Sequence, residues 1–280
     1  MTVTQSQFLA NADHTLLAPG TTAAELRDFL DDARRIGVAR VCISPFLVGA
    51  AVAALGTVDG GAEDGAADGG AADGSAAEDD AGAGTGAGSA AAGALGGLEI
   101  VTVVGFPSGA HRPEIKAAEA AQAVADGAHE IDMVVNRGLV RAAAAGDGGW
   151  AAVEAEIRAV REACPGRVLK AILETAALND DEIVGACRAA EAAGADFVKT
   201  STGFDPAGGA SLHAVRLMAD TVGGRLGVKA SGGIRTADAV REMHAAGATR
   251  FGVSGTAAIL SSWDEPGDPA PAADAAPDGY

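Results

Sequence analysis

Two lysines stand near the ends of short apolar stretches, Lys199 in FVKTSTG and Lys229 in GVKASGGIRT. Each stretch runs straight into a loop rich in glycine and hydroxyl side chains. A charged ammonium is costly to bury. Lysines so placed suit a chemistry that uses an uncharged amine, and imine formation is that chemistry. An ordinary lysine has a pKa near 10.4, so only about one in 2,500 is an unprotonated nucleophile at pH 7. Burial and a second nearby cation both disfavour the charged form. A downward shift of ~3 units, worth ~4 kcal/mol, yields a useful fraction of free amine. An inward carboxylate such as Asp132, in EIDMVVN, can then pass protons while a carbinolamine forms and breaks down.

These side chains need strands to aim them. Eight stretches read as strands: DHTLL (13–17), RVCIS (40–44), IVTVVGF (100–106), EIDMVVN (130–136), VLKAILE (168–174), FVKTSTG (197–203), GVKASGG (227–233) and RFGVSG (250–255). Between them lie six helical patterns, AAELRDFLDDARRIG, RPEIKAAEAAQAVADG, WAAVEAEIRAVREAC, DDEIVGACRAAEAAG, SLHAVRLMADTVG and TADAVREMHAAG, several ending in glycine. Such alternation predicts an α/β fold with a parallel sheet. Eight repeats favour a closed (β/α)8 barrel, a TIM barrel, over a doubly wound sheet. The 280 residues suffice, since such a barrel needs about 250.

Residues 57–97 are nearly all Gly, Ala, Asp, Glu and Ser. That composition cannot bury enough apolar surface to offset its ordering entropy. The segment reads as a disordered insertion between strands two and three of a single domain spanning 1–263. It is an inert loop expansion or, alternatively, an acidic loop that binds a partner. Residues 264–280 read as a flexible tail.

Side chains alternate along a strand. In EIDMVVN, Ile131, Met133 and Val135 form an apolar face toward the helices, and Glu130, Asp132, Val134 and Asn136 face the other way. The same period turns Lys170 and Glu174, Lys199 and Ser201, and Lys229 and Ser231 inward. Barrel interiors are normally filled with Val, Ile and Leu, so charges there need a reason. For Lys170 with Glu174 the plainer reason is a buried ion-pair network that fixes register. Lys199 and Lys229 each precede a loop suited to binding, at the end of the barrel where active sites lie.

A phosphate signal is independent of the lysines. Gly232-Gly233-Ile234-Arg235-Thr236 opens a helix after strand seven, and the run from Phe251 to Thr256 opens another after strand eight. Helix N-termini hold phosphate through backbone N–H groups, and barrels use these two loops for it.

The net charge of −18 is uneven: residues 56–98 hold eight acids and no Lys or Arg, and the last 17 residues hold five acids, leaving −5 elsewhere. No basic stripe for nucleic acid is expected. Cys42, Cys164 and Cys187 lack CxxC spacing, so neither a zinc site nor a disulfide framework is expected. The N-terminus lacks the pattern of a secretory signal, and no apolar run reaches the ~20 residues of a membrane span. The default compartment is the cytoplasm, with no membrane association.

In order along the chain, DHTLL, VCISP (41–45), VVGFPSG (103–109), EIDMVVN, LKAILETAAL (169–178), FVKTSTGF (197–204), VKASGGIRT (228–236) and RFGVSG resemble the motifs of the 2-deoxyribose-5-phosphate aldolase family. The resemblance covers most of the chain apart from 57–97 and is weak only in the tail. It implies a class I aldehyde-lyase without cofactor or metal. Such an enzyme reversibly cleaves 2-deoxy-D-ribose 5-phosphate to acetaldehyde and D-glyceraldehyde 3-phosphate, in the breakdown of deoxyribonucleosides. By resemblance Lys199 forms the Schiff base, while Lys229 and Asp132 donate and accept protons. Gly232, Gly233, Gly252 and Ser254 fall on the family's phosphate site. Asp13, Thr15, Cys42 and Thr202 match positions lining its pocket. Some members end in a tyrosine on a flexible tail that assists proton exchange at the carbon next to the imine, which suggests that role for Tyr280 against that of a frayed terminus. The partner implied is a small phosphosugar, and a homo-oligomer is compatible with it.

The chain departs from the pattern in three places. Phe204 stands where some members carry a lysine, residues 254–256 read Ser-Gly-Thr instead of a serine pair, and 57–97 has no counterpart. Two other readings compete: a different imine-forming barrel of transaldolase type, and a non-catalytic phosphosugar-binding barrel. The second is expected to have lost Lys199, Lys229 or Asp132, and all three are present.

Overall fold

The computed structural model describes residues 3–56 and 97–263. Within them eight strands run β1 (Ala12–Leu16), β2 (Arg40–Ile43), β3 (Glu99–Val104), β4 (Glu130–Val134), β5 (Val168–Ile172), β6 (Phe197–Lys199), β7 (Gly227–Ser231) and β8 (Arg250–Val253). Each pairs in parallel with its sequence neighbour and β8 closes on β1, so the predicted (β/α)8 barrel is the observed one. Nearly all of the predicted insertion, 57–96, lies outside the described residues, as do the predicted tail and Tyr280.

The six predicted helices form as α2 (Ala23–Ile36), α4 (Pro113–Ala125), α6 (Ala151–Ala163), α7 (Asp180–Ala192), α8 (Leu212–Val222) and α9 (Ala237–Ala245). Local chemistry fixes their ends. Thr22 and Glu25 form a reciprocal capping box at the start of α2, as do Asn179 and Glu182 at α7, and left-handed Gly37 ends α2. Helix α10 (Thr256–Ser261) opens after β8 as expected. Three helices were not legible in the pattern: α1 (Gln5–Asn11), α3 (Val48–Gly56) and α5 (Arg137–Ala144). Helix α3, VGAAVAALG, is apolar almost all round and shows no amphipathic stripe to read.

The outward faces of the strands make the main core. Ile131, Met133 and Val135 join Leu169, Ala171 and Leu173 in it, all fully buried against the helices. The strands end one to four residues earlier than predicted, and all but β1, which is shifted by one residue, are shorter.

Inside the barrel the register sets a second, divided layer. Cys42 pairs with Val101, Val101 with Glu130, and Val103 with Asp132, so these side chains share one surface. One side of that interior is apolar: Leu17, Cys42, Val101 and Val103 cluster, with Phe106 and Phe204 packed on them. The other side holds charges.

Candidate active site

Strand register brings the predicted residues together. Asp132 on β4 pairs with Lys170 on β5, and Lys199 on β6 pairs directly with Lys229 on β7. Asp132 Oδ2 accepts from both catalytic candidates, Lys199 Nζ at 2.9 Å and Lys229 Nζ at 2.7 Å. Its Oδ1 accepts from Lys170 Nζ at 2.7 Å. Asp13, on β1, closes the ring through an ion pair with Lys229.

Lys170 does not pair with Glu174, contrary to expectation. It binds Glu130 Oε2 at 2.5 Å as well as Asp132, and lies 3.8 Å from Asp13. Strand β5 ends at Ile172, so period two no longer governs Glu174 two residues later. Glu174 instead accepts from Thr202. The expectation that Lys170 belongs to a buried ionic network holds; the partner was misassigned.

Arg250 completes the network and had not been singled out. It donates to Asp13 Oδ1 at 2.9 Å and to Glu130 Oε2 at 3.0 Å. The same alternation applied to β8, with Arg250 and Gly252 on one face, would have found it. Near Glu130, Arg40 makes a further pair with Glu99 at 2.7 Å.

The charge balance of this interior singles out one lysine. Four carboxylates, Asp13, Glu99, Glu130 and Asp132, meet five cations, Arg40, Lys170, Lys199, Lys229 and Arg250. Burial alone would depress the Lys229 ammonium, but Asp13 and Asp132 overcome that and hold its pKa above the ordinary value. For Lys199 burial prevails. Its pKa is lowered, Asp132 opposing the shift and Lys229 adding to it. Burial would raise the Asp132 carboxyl, yet Lys170, Lys199 and Lys229 hold it well below the usual carboxylate range. The two lysines thus differ in kind. Lys199 tends toward the free amine and Lys229 stays a cation, both hydrogen-bonded to one carboxylate oxygen. That arrangement supplies a nucleophile and a two-way proton path.

The remaining predicted residues surround this group. Thr15 is buried on β1 and its hydroxyl donates to the Asp13 carbonyl at 2.8 Å. Cys42 sits in the apolar half of the interior, where burial pushes its thiol up to about 11, so it is packing and not a nucleophile. Thr202 is buried just after β6. Gly252 has a spatial reason: a Cβ there would lie 2.9 Å from Ser231 Cβ and 3.2 Å from Lys229 Cε. The Gly232-Gly233 turn follows β7, with Gly232 at φ +85° and too close to the Gly209 backbone for a side chain. Thr236 then caps α9. Ser254 is exposed between β8 and α10. Phe204 packs edge-on to Phe106 at 5.1 Å. Among the described residues no group of three or more His, Cys, Asp or Glu is arranged to hold a metal ion.

This geometry has relatives. The family model of DeoC/LacD aldolases matches residues 85–265, about two thirds of the chain. The deoxyribose-phosphate aldolase of Kocuria rhizophila is 46% identical over 263 residues, covering 94% of this chain and 99% of that protein. The chain belongs to the DeoC/LacD aldolase family. The deoxyribose-phosphate aldolase of Corynebacterium diphtheriae is 48% identical over the same shares of both chains. Among solved structures, the tetrameric deoxyribose phosphate aldolase of Aeropyrum pernix superposes with a TM-score of 0.71 at 27% identity, over 92% of each chain. The aldolase QR15 does so at 0.69 and 30%, over 91% of this chain and 93% of its own. Membership makes this chain an aldolase, and a carbon–carbon lyase fits a site built around a free amine.

Proposed function

We propose that this aldolase reversibly cleaves 2-deoxy-D-ribose 5-phosphate to acetaldehyde and D-glyceraldehyde 3-phosphate through an imine on Lys199. The observation that carries the reading is the single Asp132 oxygen shared by Lys199 and Lys229. The names of the relatives supply the substrate.

Lys199 Nζ adds to the C1 aldehyde of the open-chain sugar, and the carbinolamine loses water to give the imine. Asp132 and Lys229 shuttle the protons of both steps. Loss of the C3 hydroxyl proton breaks the C2–C3 bond and frees glyceraldehyde 3-phosphate. The electron pair moves into an enamine, C2 takes up a proton, and water releases acetaldehyde. The apolar wall of Leu17, Cys42, Val101 and Val103 suits the two-carbon fragment. Asp13, Thr15 and Thr202 face the rest of the sugar in this reading. Gly232, Gly233, Gly252 and Ser254 offer backbone donors to its phosphate. Tyr280 is assigned the proton exchange at C2. A homo-oligomer follows the tetrameric Aeropyrum pernix relative. No helix of the described residues is long and apolar enough to cross a membrane, which suits work in the cytoplasm on deoxyribonucleoside breakdown.

Incubation of the purified chain with deoxyribose 5-phosphate is expected to release acetaldehyde and glyceraldehyde 3-phosphate in equal amounts, leaving longer ketose phosphates intact. Cleavage of the ketose phosphates instead would mark a transaldolase-type enzyme.

A further inference from the structure

Glu174 is the one non-glycine residue among those described with positive φ, at φ 63° and ψ 56°. A left-handed glutamate is strained and persists only when its surroundings require it. Glycine would sit there without that cost. Something about the carboxylate is therefore retained at the expense of backbone comfort.

The carboxylate is buried and bound to one residue. Thr202 N–H lies 3.1 Å and 3.2 Å from its two oxygens, and Thr202 Oγ1–H donates to Oε2 at 2.6 Å. Burial raises the Glu174 carboxyl despite those bonds, Asp205 adds to the rise, and Arg137 opposes it. Arg137 is itself committed to Asp205 at 2.7 Å. The loop carrying Thr202 is tied to β7 further back, Thr200 N–H donating to the Lys229 carbonyl and Ser231 Oγ to that of Ser201. Glu174 is the tie that reaches Thr202 itself.

A hydroxyl has one hydrogen and two lone pairs. The Thr202 hydrogen goes to Glu174, and one lone pair accepts from Phe204 N–H at 3.1 Å. One lone pair is left. We propose that Glu174 is a positioning residue that fixes Thr202 Oγ1 as an acceptor, so that the site three residues beyond Lys199 selects substrates presenting a hydroxyl donor. A site built to bind a substrate hydroxyl discriminates strongly against the analogue that lacks it. The inference rests on the proposed aldol reaction for its choice of substrates.

The test runs the reaction in the synthetic direction, with acetaldehyde as donor and two acceptors: glyceraldehyde 3-phosphate and its analogue without the 2-hydroxyl, 3-oxopropyl phosphate. The readout is the ratio of kcat/KM between acceptors, which partial misfolding does not move. Glu174→Gly removes the carboxylate and relieves the strain, so the variant is expected to fold. Its preference for the hydroxylated acceptor is expected to fall about tenfold. In a Thr202→Val background the same change is expected to alter the ratio by less than about twofold, because the two residues act as one unit. An unchanged ratio in Glu174→Gly overturns the proposal, and so does an equal drop in both backgrounds. Failure of the parent to make product with either acceptor would instead count against the proposed reaction.

Discussion

At the scale of residues, the site works by making two lysines unlike. Lys199 and Lys229 are register partners, share one oxygen of Asp132 and are equally buried, yet their pKa values move in opposite directions. The difference lies in the second carboxylate: Lys229 has Asp13 and Lys199 does not. A lowered pKa places free amine at lower pH, so the acidic limb of the rate profile reports Lys199. Lys229→Leu keeps most of the stem and removes a cation that helps lower Lys199. Lys199 then titrates higher, and the acidic limb of kcat/KM moves to higher pH. The loss of rate is expected to be larger at pH 7 than at pH 9; an equal loss at both would contradict the role. Lys199, Lys229 and Asp132 were legible in the sequence because a charge in an apolar strand is conspicuous. Asp13 and Arg250 were harder to place, since each opens its short motif, where a charge also reads as a strand end. Glu174 was misassigned because alternation was carried past the end of β5.

At the scale of elements, loops after β3 and β4 are anchored by a pair the sequence hid. Lys116 on α4 and Glu156 on α6 are fully buried and 2.8 Å apart. Lys116 Nζ also donates to the Gly109 and Val134 carbonyls, at 2.6 Å and 2.7 Å, and Glu156 accepts from Asn136 N–H at 2.9 Å. The knot holds the chain two and four residues beyond Asp132. A lysine and a glutamate on helices read as solvated faces, because such residues are almost never fully buried unless paired. Lys116→Met leaves the Glu156 carboxylate without its cation and is expected to cost ~3–5 kcal/mol in urea unfolding. Adding Glu156→Leu is expected to restore much of that, since the buried charge is gone. A single variant as stable as the parent would show that the pair contributes nothing. Helix and strand types were otherwise readable from period and caps. The ends were not, because β6 is only three residues long and its following loop keeps the same residue types.

At the scale of the whole molecule, β2 and β3 pair from Arg40 with Glu99 to Ile43 with Thr102, so the barrel closes with the described residues alone. Replacing 57–96 by a short Gly/Ser loop is expected to leave kcat/KM within a few-fold of the parent; a large loss with the fold intact would assign that segment a part in the reaction. The chain also distributes its cations unevenly. It has four lysines, Lys116, Lys170, Lys199 and Lys229, and all are at most 3% exposed, while arginines supply the surface. Only the terminal amine competes with them for an aldehyde. Of the four, Lys199 combines a lowered pKa with a place at the end of an inward strand. Reduction with borohydride in the presence of acetaldehyde, followed by peptide mapping, therefore tests the central claim directly. The account predicts one modified lysine, Lys199, and no modified lysine in Lys199→Arg. A label on Lys170 or Lys229 in the parent, or none on any lysine, would contradict it.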